Sequence, residues 1–83
     1  MGNKKEIELS KEAENLKLGR YRHFKGGEYE VLGVVFHGES LEELVLYKAL
    51  YGRCASWVRP LDIFFGDVEI EGKKIKRFCF IED

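Results

Sequence analysis

The chain has 83 residues and can form one small hydrophobic core, so we expect a single domain. Its 14 Lys and Arg residues are balanced by 15 Asp and Glu residues, and the formal charge of −1 disfavours non-specific binding to nucleic-acid phosphates. The apolar content of 45% is that of a folding chain, and no run approaches the ~18 consecutive apolar residues of a membrane span, so we expect a cytoplasmic protein.

The first segment, residues 1–18, is rich in charge and has no aromatic residue. Ser10 can cap a short helix in which Leu9, Ala13 and Leu16 share one face. We therefore treat this segment as an N-terminal extension, either a short helix docked on the domain or a frayed tail, and place the domain itself in residues 19–83.

Short apolar runs separated by glycine follow, and this pattern is typical of antiparallel strands. Residues 20–24 form the first predicted strand, residues 25–28 supply a turn with two glycines, and residues 29–37 form a long second strand. Gly33, in the middle of the second strand, predicts a bend or bulge.

The next segment has conflicting signals. Residues 40–43 (Ser-Leu-Glu-Glu) are a good capping box, which locally favours a helix over residues 44–51. However, the apolar run after the box lacks a polar face, and glycines bracket the segment at hairpin distance. We predict a strand over residues 43–50.

The last third of the chain alternates strands and turns. Residues 56–59 predict a strand, residues 61–65 one tight helical turn, and residues 68–70 and 75–81 two strands around a hairpin at residues 71–74. The basic run at residues 73–77 lies on this hairpin and is interpreted as a solvated edge. Five or six short antiparallel strands predict a mainly β fold, a small barrel.

Four blocks of the sequence carry a family resemblance: residues 19–33, 42–52, 57–61 with Phe64, and 68–78. In this order they resemble one bacterial family, the domain of unknown function 1653. The resemblance implies an SH3-like barrel and supports the strand over residues 43–50. It implies no function, because a shared fold does not carry one.

The two cysteines give no sign of a metal or a disulfide framework. Cys54 and Cys79 form no Cys-x-x-Cys pair, so we expect no structural metal and no cofactor. Two part-buried thiols are the simplest interpretation, and a disulfide between them is the alternative. A catalytic thiolate would need a base such as His23 or His37, and nothing in the spacing places either histidine there.

Cationic and aromatic side chains alternate over residues 20–25. In a strand, Tyr21 and His23 would point one way while Arg20 and Arg22 point the other. Such interleaving suits stacking on a base with a cation near its phosphate. Alternatively, one aromatic side chain belongs to the core and the arginines merely cover it.

Trp57 and Arg59 form a second candidate group. The single tryptophan is either a core anchor or the floor of a ligand groove. Arg59 can present a planar fork to a carboxylate or phosphate, or it can pair with Glu42, Glu43 or Asp62 and brace the fold.

Tyrosines form the third group. Tyr47 and Tyr51 share parity on their predicted strand, and with Tyr29 they suggest either an aromatic groove like that of peptide-binding SH3 domains or a partly buried set.

No group of residues predicts catalysis, so the sequence favours a non-catalytic binding module, which we expect to be a monomer. Its ligand would be a small anionic or nucleotide-like molecule, a nucleic acid, or a peptide. The residues expected to bind it are Tyr21, His23, Tyr47, Trp57 and Arg59. The alternatives are a protein-interaction or oligomerisation domain, which would use an edge strand or the N-terminal helix, and a thiol-dependent enzyme that uses Cys54.

Overall fold

The fold is known from a computed structural model, which describes residues 8–82. This part of the chain forms seven strands and two single-turn helices, and the predicted mainly β class is confirmed. The elements in chain order are α1 (Lys11–Glu14), β1 (Gly19–His23), β2 (Glu28–Phe36), β3 (Glu43–Ala49), β4 (Ser56–Pro60), α2 (Leu61–Phe64), β5 (Asp67–Ile70), β6 (Lys73–Lys76) and β7 (Phe78–Glu82).

The strands form two antiparallel sheets. The larger has the order β4-β3-β2-β1-β7, and β5 and β6 form a separate hairpin. Within residues 8–82 no hydrogen-bonded ladder joins β4 to β7, so both remain edge strands. Seven strands appear where five or six were expected, in part because the predicted strand over residues 75–81 is interrupted at Arg77, which separates β6 from β7.

Strand β3 is the segment whose local signals conflicted, and the predicted strand is confirmed. It pairs with β2 on one side and β4 on the other, and its alternate residues Val45, Tyr47 and Ala49 are buried. Within the capping-box sequence Leu41 has a φ of 62°, a left-handed conformation that a right-handed helix does not accept. The central position in the sheet therefore overrides the local helix signal.

Gly33 marks the predicted bulge in β2. The pairing of β2 with β3 runs from Val31 opposite Tyr47 to Gly33 opposite Leu46, so one extra residue lies on β2. Gly33 has a φ of 157° and no side chain, which lets the long strand bend at this point.

The core is a cluster of aromatic rings between the inner face of the large sheet and α2. Phe64 is 1% exposed and stacks on Phe78 with ring centroids 4.2 Å apart. The rings of Tyr21 and Tyr47 lie 5.3 and 5.6 Å from that of Phe64. Such pairs stabilise a core beyond the area they bury, and α2 contributes its central ring.

Helix α1 docks on this core. The Ser10 hydroxyl accepts a hydrogen bond from the Ala13 amide at 3.1 Å, as predicted for an N-cap. The amide and hydroxyl of Ser10 also donate to the Glu43 carboxylate, each at 2.7 Å. Ala13 and Leu16 are buried, whereas Leu9 is 39% exposed, so two of the three residues on the predicted face enter the core.

The β5–β6 hairpin turns at Glu71 and Gly72, whose φ values of 52° and 79° suit a two-residue primed turn. Two backbone hydrogen bonds of Arg77, the residue that follows β6, hold the end of the hairpin in place. The Arg77 amide donates to the Gly66 carbonyl at 3.1 Å, and the Arg77 carbonyl accepts from the Phe24 amide at 2.9 Å. Arg77 is therefore held in place by its backbone.

None of the helices in residues 8–82 has the length and apolar character needed to cross a membrane.

Candidate ligand-binding edge of the sheet

Trp57 is exposed at the edge of the large sheet. On β4 it lies directly opposite Tyr47 of β3, so the two side chains share the inner face. Tyr47 is 3% exposed and Trp57 is 54% exposed. Trp57 is therefore not the core anchor of the domain, and its indole is available to a ligand.

Arg59 lies on the same face, two residues further along β4. Its Nε–H donates to the Tyr47 hydroxyl at 2.7 Å, and its guanidinium carbon lies 6.0 Å from the ring centre of Phe78. The bracing ion pair that was the alternative for Arg59 does not occur within residues 8–82, and Glu43 instead accepts from Ser10. The single bond at Nε leaves the two terminal amino groups of the guanidinium for other partners.

His23, at the end of β1, faces the same cluster of rings. Its imidazole lies 4.8 Å from the ring of Phe78 and 6.2 Å from that of Tyr29. Its Nδ1 accepts from the Lys25 amide at 3.2 Å. Burial lowers the pKa of His23, and positive charge on Arg59, Arg77 and Lys25 lowers it further.

Tyr21 and Tyr47, the other two residues of the predicted site, lie beneath this surface. Tyr21 is buried, and its hydroxyl donates to the Lys17 carbonyl at 2.7 Å, while burial raises its pKa. Tyr47 is also buried, but its hydroxyl accepts a hydrogen bond from Arg59. The structure thus places Trp57 and Arg59 on the edge strand β4 and His23 beside the ring of Phe78, which Arg59 also approaches. Tyr47 supports Arg59, and Tyr21 lies in the core.

Two further tyrosines border the edge. The hydroxyls of Tyr29 and Tyr51 are hydrogen-bonded to each other, and this bond, followed by burial, raises the pKa of Tyr29 to about 12. Tyr51 is 53% exposed. Gly27 lies against its ring, where a β-carbon would come within 2.9 Å of a ring atom. In the sequence, Tyr29 is grouped with Tyr47 and Tyr51 because the last two share parity, and the bond between Tyr29 and Tyr51 was not predicted. Tyr51 lies beyond the end of β3.

Arg77 was missed by the sequence analysis, which assigned residues 73–77 to a solvated edge. Its Nε is buried and has no hydrogen-bond partner in the described part of the chain. Its positive charge contributes to the lowered pKa of His23. The available signal was its position immediately before Phe78, where the basic run gives way to alternating aromatic residues.

The arginines of the first predicted motif have a different role. Arg22 donates to the Glu28 carboxylate at 3.1 Å, and Arg20 lies 3.9 Å from the same group. They project from the face of β1 opposite to Tyr21 and His23. These two cations are compensated and do not join the edge.

Both cysteines are free thiols, and both are exposed rather than part-buried as expected. The Cys54–Cys79 disulfide that was the alternative does not form. The Nδ1 of His23 accepts from the Lys25 amide, and that of His37 accepts from the amides of Glu39 and Ser40. Among residues 8–82 no group of three or more His, Cys, Asp or Glu is placed to hold a metal.

Comparison with known proteins identifies the family of the chain and no activity. The family model described as "Protein of unknown function (DUF1653)" matches residues 19–80. A crystal structure of a protein belonging to this family from Bordetella bronchiseptica is similar, with a TM-score of 0.76 and 31% sequence identity over 83% of this chain and 91% of that one. No curated protein matches. The chain therefore belongs to the DUF1653 family.

Proposed function

We propose that this protein is a non-catalytic binding module that holds a small anionic ligand at the open edge of its large sheet. Arg59 is the observation that carries the proposal. Its guanidinium lies on the inner face of an edge strand, is oriented by the Tyr47 hydroxyl, and has no carboxylate partner within residues 8–82. A planar guanidinium held in this way can bind a carboxylate or phosphate through two parallel hydrogen bonds.

The surroundings of Arg59 suit a ligand that also has an apolar or aromatic part. Trp57 lies on the same face of β4 and exposes about half of its surface. His23 adds a second nitrogen donor or cation. We assign His23, Trp57 and Arg59 to ligand contact and Tyr47 to positioning, while Tyr21 stabilises the core.

An Arg59→Ala variant tests the proposal without knowledge of the natural ligand. We expect the free energy of unfolding to fall by about 1 to 2 kcal/mol, because the part-buried hydrogen bond to the Tyr47 hydroxyl is lost. A brace for a buried carboxylate would instead cost about 3 to 5 kcal/mol. Urea melts separate these outcomes, and a collapsed transition would assign Arg59 to structure.

Ligand binding is tested on the same variant by NMR titration with inorganic phosphate, benzoate and short peptides. We expect at least one of the anions to shift the signals of His23, Trp57 and Arg59 in the wild type and to lose that effect in Arg59→Ala. Arg22→Ala is the matched control, because Arg22 is compensated by Glu28 on the opposite face of β1. Shifts that spare the edge, or that persist in Arg59→Ala, would refute the site.

A second candidate function is protein interaction through β4. This strand is an edge of the sheet, and Ser56, Trp57 and Val58 are all exposed on it. An exposed edge can accept an added strand from a partner or a second copy. Light scattering that detects only monomer from micromolar to millimolar concentration would argue against self-association.

A further inference from the structure

Basic residues from three separate segments of the chain lie near Phe78, and the side chains of two of them, His23 and Arg59, approach its ring. His23 comes from β1, Arg59 from β4, and Arg77 from the link between β6 and β7. The His23 ring lies 4.8 Å from the ring of Phe78, and the guanidinium carbon of Arg59 lies 6.0 Å from its centre. Arg77 precedes Phe78 in the chain, and both arginines lie within electrostatic reach of His23.

These groups are not compensated by acids. No ion pair joins Arg59 or Arg77 to a carboxylate in residues 8–82, and the Nε of Arg77 is buried without a partner. Bringing like charges together destabilises a fold unless a counter-charge is bound. A carboxylate would occupy one guanidinium fork, whereas the several oxygens of a phosphate can accept from all three groups.

An aromatic platform adjoins the three basic groups. Trp57 and Arg59 are two residues apart on β4, so their α-carbons are about 6.5 Å apart on one face of the strand. Exposed aromatic rings bind nucleobases by stacking, and they tolerate any base because every base has a π-face. In a nucleotide, a single sugar separates the base from its phosphate.

Extending the proposed function, on which this inference rests, we propose that the ligand is a nucleoside monophosphate. Its base stacks on Trp57, and its phosphate is held by His23, Arg59 and Arg77. The basic groups form one cluster and not a track along the sheet, and the whole chain has a formal charge of −1. Both features favour a free nucleotide over a nucleic-acid strand, which needs a series of phosphate contacts.

Isothermal titration calorimetry and NMR with four probes test this inference. The probes are AMP, adenosine, inorganic phosphate and a six-nucleotide oligoadenylate. We expect AMP to bind at least about tenfold more tightly than adenosine or phosphate, because stacking and charge-assisted hydrogen bonds each contribute about a factor of ten or more. Adenosine should shift the Trp57 indole signal, and phosphate should shift His23.

Variants then test which residues bind the base of the nucleotide and which bind its phosphate. Arg59→Gln and Arg77→Gln should weaken AMP and phosphate by about 10- to 100-fold without affecting adenosine. Trp57→Leu should weaken AMP and adenosine but not phosphate. Arg22→Gln is the control and should leave all affinities unchanged. Two separate arginine variants keep the test valid if one of them fails to fold.

The His23 imidazole provides a readout that a purely structural role would not move. The charged groups facing it are Arg59, Arg77 and Lys25, and the Tyr29 ring packs beside it. A bound dianion should raise the pKa of His23, and by linkage the affinity for the anion should rise as the pH falls. Sulfate is the probe for this measurement, since its charge is constant between about pH 5 and 8 while that of phosphate is not.

The outcomes separate this inference from the proposed function. Equal affinities for AMP and phosphate at the edge would overturn the nucleotide assignment and leave anion binding intact. Tighter binding of the oligoadenylate per nucleotide would identify a nucleic-acid strand as the ligand and also overturn it. If AMP and phosphate leave the edge unchanged while benzoate binds there, only the nucleotide inference fails. If no anion binds, both proposals fail.

Discussion

Tyr47 and Trp57 are neighbours on adjacent strands and share one face of the sheet, yet the first lies in a closed core and the second at an open edge. The difference comes from strand order. Within residues 8–82, β3 has a partner strand on each side, whereas β4 has a partner strand only on the β3 side. The same aromatic chemistry therefore stabilises the fold in one strand and remains available for binding in the next.

The largest effect should come from opening the closed region. Phe64→Ala removes the ring that stacks on Phe78 at the centre of the core, and we expect a loss of about 3 to 5 kcal/mol in the free energy of unfolding. Ile63→Ala, on the exposed side of the same helix, is the control and should cost far less. Urea melts measure both. Equal losses of stability in the two variants would contradict the placement of Phe64 in the core and Ile63 at the surface.

A smaller loss of stability should come from changing Tyr47, which links the closed core to the open edge. Tyr47→Phe removes the hydroxyl that orients Arg59, and Tyr21→Phe removes one that binds the Lys17 carbonyl. Each should cost about 1 to 2 kcal/mol of stability. Only Tyr47→Phe should also weaken anion binding, as measured by calorimetry. If Tyr21→Phe weakened anion binding equally, the cause would be general destabilisation of the core and not the loss of the hydroxyl that orients Arg59.

A third test concerns the tyrosine pair beside the edge. Because the pKa of Tyr29 is raised from 10.0 to about 12, the native state holds this proton more tightly than the unfolded chain does. The resulting stabilisation is present below pH 10 and is lost as the pH rises from 10 to 12.

Tyr51→Phe removes the hydrogen bond that is the main cause of this shift. It should lower the pKa of Tyr29 toward its ordinary value and cost about 1 kcal/mol or less at neutral pH. Carbon-13 NMR of labelled tyrosine rings follows the titration directly. An unchanged Tyr29 pKa in the variant would contradict the pairing.

The smallest change in stability should come from the open region itself. Trp57→Ala should alter the free energy of unfolding by only about 0.5 kcal/mol, as is usual for exposed positions. The wild-type tryptophan fluorescence should already have the red-shifted emission of an indole in water. A loss above about 2 kcal/mol would place Trp57 in the core and remove the contrast with Tyr47.

The sequence predicted most elements of the fold, because strand alternation, glycine turns and Pro60 are local signals. The helix-or-strand conflict over β3 was resolved correctly from the lack of a polar face and from glycine spacing. The break at Arg77 was not predicted. It depends on backbone bonds to Gly66 and Phe24, which are distant from Arg77 in the sequence, and no local pattern encodes them.

The sequence predicted which types of residue form the candidate site, but it did not predict how deeply each of them is buried. Parity placed Tyr21 with His23 and Trp57 with Arg59, and strand geometry agrees. Parity alone cannot tell a central strand from an edge strand, so Tyr21 could not be distinguished from Trp57. Whether an arginine is compensated depends equally on tertiary contacts. Glu28 accepts a hydrogen bond from Arg22, and Glu43 accepts one from Ser10. Neither pairing follows from spacing along the chain.

The docking of α1 means that the family match and the buried core have different limits. The matched region begins at residue 19, yet Ala13 and Leu16 belong to the same buried cluster as Tyr21 and Phe64. Removal of residues 1–18 would expose apolar surface on that cluster, strand the Glu43 carboxylate without Ser10, and take away the acceptor of the Tyr21 hydroxyl. Helix α1 is thus an integral cover of the domain and not a detachable tail.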